Sequence, residues 1–111
     1  MLFCITADYT SQALNAMREN PTTNRREAVE QLVQAAGGKV IAMYGTMRNG
    51  PGAMLIFDVT DPASAPPIAG IIASSGAVQN LQFSRLATME EVTGYRKKAQ
   101  QIRGAYKPPG S

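Results

Sequence analysis

Histidine and tryptophan are absent from this 111-residue chain, and it holds a single cysteine. Without imidazole, the usual proton carrier near neutral pH and the commonest neutral metal ligand are both missing. A Ser-His-Asp or Cys-His catalytic set is therefore excluded, and identical copies of the chain cannot supply the missing ring. One Cys with no His leaves too few soft ligands for structural zinc and rules out His-ligated haem. No metal site and no cofactor are expected. A lone Cys cannot form an internal disulfide, which together with an unprocessed-looking start fits a reducing cytoplasm. No apolar run approaches the roughly 20 residues that cross a bilayer. Leu2-Phe3-Cys4-Ile5 lacks a basic leader and meets Asp8 too early for a signal peptide, so no membrane partner is expected.

What is present is the composition of a globular chain, 44% apolar and 17% charged, of a length that suits one core. The net charge is +3, and much of the excess lies late, in Arg96, Lys97, Lys98, Arg103 and Lys107. These cations read as the solvated face of a helix whose negative end they neutralise, with Glu90 and Glu91 at its start. An anion-binding surface is the other reading, but no aromatics interleave with the charges and no nucleic acid is expected.

Period-two alternation makes residues 2–8 a strand, with Phe3, Ile5 and Ala7 on one face and Cys4, Thr6 and Asp8 on the other. Thr10 or Ser11 caps a short helix carrying Ala13, Leu14 and Met17, which Asn20-Pro21 breaks. Asn24 and Glu27 stand in capping-box spacing before Val29, Leu32, Val33 and Ala36, whose helical interval predicts the clearest helix, ended by Gly37-Gly38. Residues 39–48 and 53–59 read as a hairpin around Asn49-Gly50-Pro51-Gly52, with Val40, Ala42, Tyr44 and Thr46 alternating against Ile41, Met43 and Met47. Prolines open a helix over 66–73 whose buried side is Ile68, Ile71 and Ile72. Residues 77–87 form a fourth strand, with Val78, Asn80, Gln82 and Ser84 on one face and Leu81 and Phe83 on the other. Thr88 and Glu91 form a second capping box, opening a helix with Val92, Tyr95, Ala99 and Ile102 that Gly104 closes. One domain over 1–104 and a mobile tail over 105–111 follow.

The order β-α-β-β-α-β with an appended helix is the split βαβ pattern of ferredoxin-like α+β folds. It predicts a four-stranded antiparallel sheet in the order 4-1-3-2, with both main helices on one face. Those helices are expected to cover Phe3, Ile5, Ala7, Leu55, Phe57, Leu81 and Phe83. The opposite face, with Leu2, Cys4, Thr6, Tyr44, Met54, Ile56, Asn80 and Gln82, is too apolar to lie bare. A two-fold dimer with facing sheets solves this, and leaves either a partly polar lumen for a small ligand or a plain interface.

The chain resembles the GYD-domain family of small bacterial proteins, from about Phe3 to Tyr95. The similarity lies in Tyr9-Thr10, in Glu19-Asn20-Pro21 before an Arg/Glu-rich helix start, and in Gly37-Gly38-Lys39-Val40. It continues in Tyr44-Gly45-Thr46-Met47 and in Gly76-Ala77-Val78-Gln79-Asn80 leading to Leu86-Ala87-Thr88. The resemblance implies a ferredoxin-like dimeric α+β barrel and carries no general activity. Of the namesake tripeptide only Gly52 matches, followed here by Ala53 and Met54 after an enlarged turn. Any ligand role of that Tyr and Asp is lost in this member.

Tyr44, Thr46 and Arg48 alternate onto one side of the second strand. With Thr6, Asn80 and Gln82 they offer donors to an acidic or carbonyl ligand. Cys4 has no neighbouring cation to make it a nucleophile and reads as a small hydrophobe. Asp8 and Asp58 stand at strand ends, where carboxylates cap; burial would instead make them general bases. The function expected is that of a cytoplasmic homodimer, a small-ligand-binding or accessory protein with its site between facing sheets. A cofactor-independent monooxygenase, isomerase or cyclase using Tyr44 and Arg48 is one alternative. A regulatory oligomer that binds a partner protein is the other.

Overall fold

The computed structural model describes residues 1–110. The elements are β1 (Leu2–Tyr9), α1 (Ser11–Glu19), α2 (Arg25–Ala35), β2 (Gly38–Met47), β3 (Pro51–Val59), α3 (Ala65–Ser74), β4 (Val78–Leu86) and α4 (Met89–Ile102). Short 3-10 turns precede α3 and follow α4. Capping sets the helix starts. The Thr10 hydroxyl accepts from the Ala13 amide and the Asn24 side chain from the Glu27 amide, while Thr88 and Glu91 form the reciprocal box. Gly37 and Gly76 stop α2 and α3 at φ of +82° and +81°, a conformation that L side chains resist.

All strand pairs are antiparallel and the order is β2-β3-β1-β4. α2 and α3 lie on one face. Val29, Val33, Ala65, Ile68 and Ala69 pack there against Phe3, Ile5, Leu55, Phe57 and Val59, with Leu81 partly buried beside them. Phe3 stacks on Phe57 and on Phe83, with centroids 5.8 and 5.4 Å apart. Phe83 nevertheless stays 37% exposed, because β4 is an edge strand and the helices leave its flank open.

The sheet is open. β2 and β4 are free edges, so the closed α+β barrel implied by the family resemblance is not formed. Four strands fall well short of the roughly eight whose tilt and stagger close a barrel around its own interior.

Both edge strands carry a bulge, and each breaks the alternation expected of it. In β2 the register slips between Val40 and Ala42, so Val40 opposes core residue Phe57 while Ala42, Tyr44 and Thr46 oppose Ile56, Met54 and Gly52 on the uncovered face. In β4 the slip falls opposite Ala7: Gln82 pairs with Thr6 but Gln79 with Asp8. Val78 thus lands opposite Tyr9 on the helix side rather than beside Asn80. The hairpin turn is also tighter than expected. Met47 pairs with Pro51, leaving Arg48-Asn49-Gly50 as the loop, with Gly50 at φ +130°. Pro51 and Gly52 belong to β3, and Pro suits a first strand position.

α4 leaves the end of β4 and carries no buried residue. The radius of gyration is 18.0 Å and the longest extent 60 Å. A compact chain of this length has a radius of gyration of about 13 Å. Residues 105–110 are exposed, and the final residue of the expected tail, Ser111, lies outside the described residues.

Phe57→Ala should lower unfolding stability by about 3–5 kcal/mol, because it empties the centre of the core. Phe83→Ala should cost less than half as much, since that ring is partly solvated already. Urea denaturation of the two variants checks the difference.

Candidate functional site

The uncovered face has an apolar middle and a polar end. Cys4, Met54, Ile56 and Ala42 are half-buried in the middle. At the end where β1 meets β4 and the β2–β3 loop stands beside them, an open depression of 590 Å³ is lined by Thr6, Asp8, Thr46, Arg48, Asn80 and Gln82, with Ala7, Met47, Asn49 and Met54.

Three local features build it. The first is the β4 bulge, where Asn80 sits at φ +55°, the one non-glycine residue with positive φ among the described residues. Asparagine tolerates the left-handed region better than most side chains. Its amide Nδ2 donates to the Asp8 carboxylate Oδ2 at 3.1 Å, across 72 residues of sequence. The second is Gly52, in register with Asp8 on one side and Thr46 on the other. A Cβ there would collide with the Ala7 carbonyl and stand 2.7 Å from the Thr46 hydroxyl oxygen, so only glycine lets β3 run this close to both. The third is the three-residue hairpin, which places Arg48 one position past β2 and in the wall of the depression. Arg48 makes no ion pair among the described residues.

Thr6, Thr46, Arg48, Asn80 and Gln82 are thus brought together as read from the sequence. Tyr44 is not. It stays on the same face opposite Met54, but two residues up the strand, about 7 Å away at the usual rise. It is 65% exposed and lies outside the depression. Asp8 was read as a helix cap and instead orients Asn80, while Thr10 caps α1. The period-two relation of Asp8 to Thr6 was the signal that placed it here. Asp58 is not a helix cap either. Its carboxylate lies 2.8 Å from the Met1 ammonium, whose hydrogen bond and charge hold its pKa below the usual range.

The arrangement offers a guanidinium, two hydroxyls, three carboxamides and one carboxylate beside two thioethers. It can accept a small molecule through several hydrogen bonds and hold an anionic or carbonyl oxygen against Arg48. Cys4 lies outside the depression, and burial pushes its pKa up rather than activating it. A second hollow of 170 Å³ lies between α2, α3 and the sheet. Its walls are almost wholly aliphatic, with only Arg25, Tyr9 and Ser75 as polar side chains, and it reads as loose packing between the helices.

A family model described as the GYD domain matches residues 3–95. No curated protein sequence matches the chain. Among solved structures, the fold is similar to 5-chloro-2-hydroxyhydroquinone dehydrochlorinase from Burkholderia phenoliruptrix AC1100 in complex with 2,5-dihydroxybenzoquinone. That match has a TM-score of 0.54 and 16% identity, over 78% of this chain and 94% of that one. It is similar also to the C-terminal domain of the MgtC protein from Mycobacterium tuberculosis, with a TM-score of 0.51 and 9% identity, over 77% of this chain and 86% of that one. A dimeric ferredoxin-like protein from an uncultured marine organism matches at a TM-score of 0.40 and 14% identity, over 78% and 92%.

Gly52→Ala should cost about 1–3 kcal/mol, the usual penalty of overpacking. Asn80→Gly should keep the fold, whereas Asn80→Val should destabilise it by about 1–3 kcal/mol through backbone strain. Thermal unfolding of the three variants orders them. Because burial raises its pKa, the Cys4 thiolate should form at higher pH in the native protein than after denaturation. The pH profile of alkylation in the two states reads this directly.

Proposed function

This chain belongs to the GYD-domain family, and on that footing we propose that it is a homodimeric binding protein. Its ligand is a small organic molecule bearing an acidic or carbonyl oxygen. One observation carries the reading: a left-handed asparagine, held by Asp8 at a bulge, lines the same depression as Arg48. Backbone in an unfavourable conformation costs stability, and such costs gather where a fold holds a ligand. Arg48 takes the anionic or carbonyl oxygen. The Asp8 carboxylate accepts from a ligand hydroxyl, and Thr6, Thr46 and Gln82 set its orientation.

The fold neighbour in complex with 2,5-dihydroxybenzoquinone makes that compound a suitable probe, since it pairs acidic oxygens with carbonyls on a flat ring. The second copy seats on the uncovered sheet face, where half-buried Cys4, Met54 and Ile56 gain cover, and it roofs the depression. The lone thiol of Cys4 suits a reducing compartment such as the cytoplasm. Tyr44, the proton donor of an enzymatic reading, stands outside the depression, so binding is the reading favoured over turnover.

Calorimetric titration with 2,5-dihydroxybenzoquinone, in a Cys4→Ser variant that cannot be alkylated by the quinone, tests the proposal. Saturable binding that weakens at least tenfold in Arg48→Ala and in Asp8→Ala is expected. Binding that ignores both substitutions, or no binding of the probe, overturns it.

A further inference from the structure

α4 is a formed helix with nothing to lie on. Its 14 residues include Gly94 beside Thr93 in the interior, and none is buried. A helix of this length is marginal in water even with better helix formers, and an interior glycine weakens it further. Val92, Tyr95, Ala99 and Ile102 nonetheless recur at helical spacing on one side, with Tyr95 50% and Ile102 56% exposed. The base of the helix is anchored so that it points away from the body. Arg85 donates to Glu91 at 2.8 Å and to the Tyr95 hydroxyl at 3.0 Å, and the Thr88–Glu91 box closes the first turn.

We propose that α4 is an arm that packs its Val92–Ile102 stripe on the body of a second copy of this chain. The inference rests on the homodimer proposed above and adds the arm to its interface. Area is the first argument. A face of four strands, about 4.8 Å apart and about 27 Å long, covers only about 500 Å². Two such faces bury about 1,000 Å², at the lower limit for a specific interface, whereas stable ones bury about 1,200–2,000 Å². A helix about 21 Å long that covers about 200 Å², and hides as much on its partner, brings a pair of arms to about 800 Å² more. The total then lies in the stable range.

Position is the second argument. α4 begins three residues after Leu86, which opposes Leu2 on the uncovered face. A copy seated on that face lies at the root of the arm. Charge is the third. Residues 1–88 hold six cations and six anions, while residues 89–111 hold five cations and two anions, so the whole net charge of +3 sits on the arm and tail. At 100° per residue, Arg96 and Arg103 border the stripe on one side and Lys98 on the other. Two such arms repel each other along this border, so each docks on the neutral body rather than on its twin.

Sedimentation of the full chain across concentrations, with amide hydrogen exchange of α4, tests the arm. The wild type should dimerise, and amides 92–102 should become protected as the dimer forms. Ile102→Glu and Ala99→Glu should each raise the dimer dissociation constant at least tenfold, whereas Gln101→Glu on the opposite side should leave it unchanged. If Ile56→Lys breaks the dimer while Ile102→Glu does not, the arm proposal fails and the face-to-face dimer stands. A wild type that stays monomeric overturns both. Binding to phosphatidylglycerol vesicles that Ile102→Glu abolishes, with the dimer intact, assigns the stripe to lipid and overturns the arm.

Discussion

A sheet has two faces, and this chain has helices for one. α2 and α3 both pack over the β1–β3 pair, where Phe3, Ile5, Leu55 and Phe57 form the core with Val33 and Ile68. The other face is left with an apolar middle, a polar end and no cover. Every functional statement about the molecule descends from that asymmetry. It exposes the depression, leaves bare the surface proposed above for a second copy, and leaves α4 projecting instead of folded back onto its own sheet.

The two bulges are the means by which a regular sheet acquires an irregular site. Without the slip at Ala7, Asn80 would take an extended conformation within the ladder. With it, the residue turns left-handed and is held by Asp8, and its backbone no longer follows the pleat. The β2 bulge at Ile41 has a complementary effect. It sends Val40 into the core while keeping Thr46 on the polar end, so one strand serves both layers. Bulges at both edges also interrupt the flat ladders that would otherwise invite strand-to-strand association.

Much of this was legible in the residues. Strand order, the helix caps at Thr10, Asn24 and Thr88, the glycine stops and most of the core follow from period and turn chemistry, which are local. Thr6, Thr46, Arg48, Asn80 and Gln82 line one depression because period two puts them on one face and the strand order puts their ends together. The errors came where a single extra residue changed the parity. Val78 lies on the helix side rather than with Asn80, and Val40 on the face opposite to Ala42. A bulge has no signature in an ordinary run of Val, Ile and Asn, since it answers to the partner strand rather than to its own sequence.

The closed barrel is the larger correction, and its cause is of another kind. Family resemblance speaks to the path of one chain, whereas closure needs more strands than one chain of this order possesses. By itself the sequence determined which segments are helices and strands, which side chains seek the core, and that imidazole chemistry is excluded. Only the tertiary structure decided where the pleat slips, which polar groups meet in the depression, and that α4 stands clear of the body. The first set depends on the nearest few residues, and the second on contacts between strands and helices far apart in the chain.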